Sequence, residues 1–228
     1  NRVDNIQDDG IYLSSPVPYV SDDIFIYQNL ITRSLLAVGC HSRGGPKGNI
    51  YIYRNVADLR QGVFAGRATP DDPLGRVTTY QIFLMHGRGK RLGMESFYFY
   101  QHTFVSRTDP YGYAQRTLSN ANDVSKRRVF NNICVYLNRY GRLRSFGEPT
   151  PDIHCDGNLH WCSDPEVAVP DNYLERIRNH PVSLANKETY PPGWASKAVV
   201  ADPNFVKFER DSKTACDYRL RDDSVAIG

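Results

Sequence analysis

Asp8-Asp9-Gly10-Ile11 sets two adjacent carboxylates at the head of an apolar run. Two carboxylates can hydrolyse a glycosidic bond: one, with a raised pKa, protonates the leaving oxygen, and the other activates water or attacks directly. Two further runs, LLAVGCHSRGGPKG and IFLMHGRGKRLG, end in ionisable residues: His41 and Arg43 on one, His86, Arg88, Lys90 and Arg91 on the other. If these runs lie on neighbouring coils about 4.8 Å apart, acids and bases share a cleft. Asp8, Asp9 and His41 are then the catalytic candidates, and Arg43, His86, Arg88, Lys90 and Arg91 grip an anionic substrate. The same cations suit a second reaction. Removing the proton beside a uronate carboxylate needs a Lys or Arg base and a cation against the carboxylate. Lys90 with Arg88 and Arg91, or Lys47 with Arg43, supplies both. Hydrolysis needs no cofactor. Elimination admits Ca2+, for which Asp58, Asp71 and Asp72 are available without forming a motif. The plainer readings are a turn at Asp8-Asp9-Gly10 and a solvated loop at GRGKRLG.

The charge distribution fits an anionic partner. The net charge is +3, but residues 1–149 carry +7 and residues 150–228 carry −4. Sixteen of the nineteen basic residues in the first part are Arg, whose planar fork pairs with carboxylate, sulfate and phosphate. No nucleic-acid module is recognisable and the pI of 8.6 is mildly basic, so nucleic acid is not the expected partner. No window approaches eighteen uninterrupted apolar residues, which excludes a transmembrane helix. NRVDNIQDDG lacks the apolar stretch of a secretory leader. Of the five cysteines, Cys155 and Cys162 are spaced for a local disulfide, and the odd count leaves at least one thiol free. The absence of a C-x-x-C pair speaks against zinc.

The residues are positioned by a repeat. DIFIYQNLI, NIYIYRNVA, SFYFYQHTF and RRVFNNICV each alternate large apolar residues with others, then reach Asn or His and a further apolar residue. Such period-two runs are strands. The ladder positions Asn1, Asn29, Asn55, His102, Asn132 and Asn158 are separated by 28, 26, 47, 30 and 26 residues. An insertion around Ala68 to Gly75 accounts for the long interval. Further strands are expected at Gly10–Ser15, Ser34–Gly39, Gly62–Gly66 and Gln81–Gly87. Short strands in repeats of about 26 residues describe coils of parallel strands. An Asn at one place in each coil suits a left-handed turn, and stacked amides can bond along the axis. The expected fold is all-β, a right-handed parallel β-helix: coils over 1–165, then an excursion and closing segment over 166–228 with one short helix at Asp171–His180, capped by Asp171. His102 is expected as a buried turn residue. Tyr27, Tyr51, Tyr53, Tyr98 and Tyr100 recur at strand positions, where stacking along the coils or on sugar rings is possible. Asn1 falls on a ladder position, so preceding coils are expected from an upstream segment or a second chain.

At this level the chain resembles the right-handed β-helix proteins that include polysaccharide lyases and polygalacturonase-type glycoside hydrolases. The closing segment, ADPNFVKFERDSKTACDYRLRDDSVAIG, is similar to the end of bacterial β-helix proteins: an Asp-Pro-x-Phe turn, a polar spacer, Asp-Tyr-Arg-Leu and a Ser-x-Ala-Ile close. Asp8-Asp9-Gly10-Ile11 resembles the Asp-Asp-x-Ile segment of the polygalacturonase-type enzymes, where an Asp pair acts, and Gly39-Cys40-His41 resembles their Gly-His-Gly element. The family's further catalytic Asp would fall before Asn1. The resemblance implies a secreted or periplasmic protein that cleaves an acidic polysaccharide by hydrolysis. Lyase chemistry and glycan binding without catalysis are the alternatives.

Overall fold

The period-two runs are strands, and they stack in parallel. The computed structural model describes residues 1–13, 23–41, 48–60, 63–64, 77–78, 81–86, 96–106, 126–138, 140, 152–211 and 213–227, with the backbone alone at 7–9, 35–36, 40–41, 63–64, 77–78 and 81–86. One sheet, here the tyrosine sheet, stacks Ile24–Tyr27, Ile50–Tyr53, Ser96–Tyr100, Lys126–Phe130 and Ile153–Asp156. The other, the valine sheet, stacks Arg2–Leu13, Leu30–His41, Val56–Leu59, Thr103–Ser106, Ile133–Tyr136, Leu159–Cys162 and Val199–Val200. Every pairing within these stacks is parallel. The chain passes from one sheet to the other through two residues on five successive rungs. This strand-rich arrangement with long parallel sheets is consistent with an all-β parallel solenoid.

Alternation sorts each strand into a core side and an outer side. On the tyrosine sheet, Ile24, Ile50, Phe97, Arg127 and Ile153 are in register and face inward, as do Ile26, Ile52, Phe99, Val129 and Cys155. Arg127 is fully buried at a place that its neighbouring rungs fill with Phe97 and Ile153. Ala57, Leu59, Phe104, Tyr136 and Cys162 come inward from the valine sheet to meet them.

Several expectations are corrected. Asn5 and Arg33 have left-handed backbones (φ 59° and 47°) inside Arg2–Leu13 and Leu30–His41. Each long strand therefore bends there, and the expected strands at Gly10 and Ser34 are the far arms of these bends. Asp4 holds the bend by accepting from Thr32 and from the Arg33 guanidinium. Val63–Phe64 pairs antiparallel with Val77–Thr78, so this run is not a rung of the parallel stack. Gln81–His86 instead lies parallel on Leu36–His41. The excursion contains two helices, Tyr173–Arg178 and Pro181–Asn186. Asp171 is not the cap: Asn172 holds that place, left-handed and without a capping side-chain bond. Pro181 starts the second helix, because proline's fixed φ and missing N–H suit a first helical position; the His180 ring accepts from Val182 N–H at 3.3 Å. Ile177, Val182 and Trp194 from this excursion join the main core. The chain then returns at Val199–Val200 as one more rung.

Candidate ligand-binding surfaces

The residues singled out for chemistry fall largely outside the described side chains. Arg43, Arg88, Lys90 and Arg91 lie outside the described residues, as do Lys47, Asp71 and Asp72; Asp8, Asp9, His41 and His86 are described by backbone only. Asp8 and Asp9 continue the strand Arg2–Leu13 through a register shift between Ile6 and Asp9, so the turn reading does not describe their backbone. His41 pairs with His86 on the adjacent parallel strand. Asp9 pairs with Leu36, five residues short of His41, a separation of about 16 Å along the strand. The backbone thus brings the two histidines together and holds Asp9 away from them.

The asparagine corner is scaffold with a division of labour that the sequence did not reveal. The left-handed residue of each corner is the one before the ladder: Gln28, Arg54, Gln101, Asn131 and Gly157, with φ between 51° and 65°. The ladder residue itself is buried and spends its side chain on hydrogen bonds. Asn29 donates from N–H (3.0 Å) and Nδ2 (2.8 Å) to Asn55 Oδ1, and Asn132 bonds Asn158 in the same way at 3.0 and 2.9 Å. Asn55 Nδ2 donates onward to the Ile26 and Tyr53 carbonyls. His102 fits because its ring offers the same pair of functions. Nδ1 accepts from Asn55 N–H at 3.2 Å, while Nε2 meets the Ile52 carbonyl at 2.9 Å and, with Nδ1 occupied as an acceptor, carries the proton. Burial pushes its pKa down to about 3, which keeps it the neutral ladder member.

The outer face of the tyrosine sheet carries two aromatic columns. Phe25, Tyr51 and Tyr98 stack with centroids 4.9 and 4.8 Å apart, and Tyr27, Tyr53 and Tyr100 at 5.0 and 5.1 Å, all within 8° of parallel. Register alone requires this, since in-register parallel strands place equivalent side chains one strand spacing apart. The stacking expected along the coils is what occupies the ring faces. Inside a column, edges and hydroxyls are what remain for water or a ligand. Phe25 and Tyr27 are 55% and 47% exposed. The columns continue into Arg128, Phe130 and His154. There Tyr190 stacks on His154 at 5.1 Å, the Arg128 guanidinium lies 4.3 Å over the Tyr190 ring, and Asp152 accepts from both Arg128 and Tyr190.

The outer face of the valine sheet is covered from the Thr103–Ser106 rung to the Leu159–Cys162 rung. Val105 and Val135 pack with Phe205, and Trp161, Phe208, Tyr218 and Leu220 join them, all through the antiparallel pair Phe205–Lys207 and Asp217–Leu220. Arg60 fastens this cover. It pairs with Asp58 (2.7 Å) and donates to the carbonyls of Glu209, Asp211 and Thr214 while its side chain is 4% exposed. The tail that resembles a β-helix closing segment is therefore a lid on one sheet. No sequence signal marked Arg60 as a fastener, because the groups it ties down are backbone carbonyls about 150 residues away.

The remaining candidates are structural. Cys134, Cys155, Cys162 and Cys216 are free thiols, so the expected Cys155–Cys162 bridge is absent. Cys155 projects inward from the tyrosine sheet and Cys162 from the valine sheet, on either side of the Gly157-Asn158 corner. Burial pushes the Cys155 thiol up to about 12, which removes thiolate reactivity. His160 bonds the Tyr136 hydroxyl at 3.1 Å inside the core, and burial lowers its pKa to about 3. Among the described residues no group of three or more His, Cys, Asp or Glu is disposed to hold a metal. Comparison with protein-family models, curated proteins and solved structures returned no match.

Proposed function

We propose that this chain is a right-handed parallel β-helix that holds an acidic polysaccharide along its stacking axis, on the outer face of the tyrosine sheet. The observation that carries the reading is the pair of outward-facing aromatic columns with a spacing of 4.8–5.1 Å, exposed at Phe25 and Tyr27 and half-buried at Tyr51, Tyr53, Tyr98 and Tyr100. A polymer of repeating units meets a repeating set of ring edges and hydroxyls, so weak contacts act together at high effective concentration. Tyrosine suits this role, having an apolar body and a hydrogen-bonding tip. The +7 charge of residues 1–149, mostly arginine, favours a uronate-bearing or sulfated polymer.

Cleavage of that polymer is the second reading. Its support is the pairing of His41 with His86 at the ends of neighbouring parallel strands, next to the strand that carries Asp8 and Asp9. Hydrolysis would use Asp8 and Asp9; elimination would use Lys90 and Arg91. Incubation with polygalacturonate and with sulfated polysaccharides separates the cases. Ultraviolet absorbance from a new unsaturated uronate marks elimination, new reducing ends without it mark hydrolysis, and retention on the polymer with neither marks binding alone. Neither retention nor product with any acidic polymer contradicts both readings.

A further inference from the structure

A second concave surface lies beside the tyrosine face, where the residues after Tyr53 and Tyr100 turn toward the valine sheet. A groove of about 550 Å³ runs along the asparagine corner, between the corner residues and the C-terminal segment. One side follows successive corner residues, Arg54, Gln101, Asn131 and Gly157. Three intervals at the parallel-strand spacing make it roughly 14 Å long. The lining also includes apolar side chains, Val199, Leu220 and Val225 among them.

Two of the lining residues are cations, and the Asp156 carboxylate next to the groove is taken up by the backbone N–H groups of Gly157 and Lys197. Arg54 and Lys197 are both exposed, at different rungs of the corner. Among the described residues neither forms an ion pair, and no Asp or Glu lines the groove. Arg54 donates from Nε to Gln101 Oε1 at 3.1 Å, which orients the guanidinium against the corner; among the described residues its two NH2 groups make no bond. Asn131 and Gln101 add amides. Gly157 is required where it stands by its left-handed backbone and by the Asn131 side chain, whose Oδ1 would lie 2.1 Å from a Cβ there. Amide donors among apolar side chains suit a sugar, which has polar edges and C–H faces, and two cations without an ion pair among the described residues suit acidic groups on that sugar.

The geometry points to this corner groove as a binding site for a short run of acidic sugar units, uronate or sulfated, in addition to the tyrosine face. The inference rests on the polysaccharide reading for the ligand's class but not for its place. It is tested by titrating a uronic acid trisaccharide, and its neutral hexose counterpart, into the full chain by calorimetry. The proteins are wild type, Arg54→Gln, Lys197→Gln and Tyr51→Phe/Tyr53→Phe. The expected result is that each cation variant loses about tenfold in affinity for the acidic trisaccharide, the scale of one charge-assisted bond. The neutral sugar should bind wild type and both cation variants alike, and the tyrosine variant should lose less trisaccharide affinity than either cation variant does. Unchanged trisaccharide affinity in both cation variants overturns the groove. Loss in the tyrosine variant alone overturns it too, while leaving the polysaccharide reading intact. Trisaccharide binding that depends on Arg54 and Lys197, with no retention on any acidic polymer, upholds the groove and removes the tyrosine face.

Discussion

The two sheets come from one repeat, yet their outer faces meet water differently. The valine sheet presents Val105, Val135 and Trp161 in one register column, and the chain's own tail covers them. The tyrosine sheet presents stacked tyrosines and has no such cover over its first three rungs among the described residues. Valine outside a sheet needs a partner because its whole side chain is apolar. A stacked tyrosine satisfies its ring faces against its neighbours and leaves a hydroxyl to water. A covered face contributes stability, and the repetitive one is the face on which the proposed polymer is placed.

The cover breaks most severely at Arg60. Arg60→Met leaves Asp58 buried without its partner and three carbonyls without a donor, and is expected to cost about 3–5 kcal/mol. Chemical denaturation followed through tryptophan fluorescence reads this. Adding Asp58→Asn should recover part of the loss, because the stranded charge is gone. A loss under about 1 kcal/mol for Arg60→Met would mean that the lid is held by apolar contact alone.

The corner beneath both faces is next. Asn55→Leu removes two donations to buried carbonyls and the acceptor that serves Asn29, so stability should fall by about 2–3 kcal/mol. An unchanged denaturation midpoint would show that the ladder amides add nothing over water.

Acid acts on the ladder at His102 and on the core beside it at His160. His102 and His160 have folded pKa values lowered to about 3, below the roughly 6.5 of an unfolded histidine. The unfolded chain therefore binds more protons as pH drops below about 6.5, and stability falls with it until the folded values are reached. Each histidine contributes a slope of roughly 1.4 kcal/mol per pH unit in that window. His102→Asn places the usual ladder residue at that rung. It should keep neutral-pH stability near wild type and remove one histidine's share of the acid slope, as measured by denaturation between pH 4 and 7. An unaltered slope would mean that His102 is not held neutral.

The smallest effect expected is none. With Cys155 and Cys162 free, reductant should leave the melting temperature unchanged; a drop of several degrees would restore the bridge between them.

The repeat was legible because strand period and ladder spacing are local properties of the sequence. What escaped was anything that depends on which neighbour wins. Asn favours a left-handed backbone, yet in Gln28-Asn29 and Arg54-Asn55 the preceding residue takes it, because the Asn amide is worth more as a buried bond to the next rung. The tail was recognisable as a closing segment, but its seat on Val105 and Val135 and its anchorage through Arg60 are contacts between distant parts of the chain. The tyrosines were visible as a recurrence. Whether they faced sugar or each other depended on register, which the insertion near Ala68 to Gly75 obscures between Asn55 and His102.

The central claim is that the open tyrosine face holds an acidic polymer, and hydroxyl deletion tests it most directly. Tyr51→Phe/Tyr53→Phe keeps both columns stacked, as Phe25 already does in one of them, and removes two hydroxyls from one rung. Affinity electrophoresis through gels containing polygalacturonate or a sulfated polysaccharide compares it with wild type. The account predicts retardation of wild type by at least one of these polymers, several-fold weaker retardation of the variant, and equal melting temperatures. Equal retardation of the two proteins at equal melting temperature would contradict it.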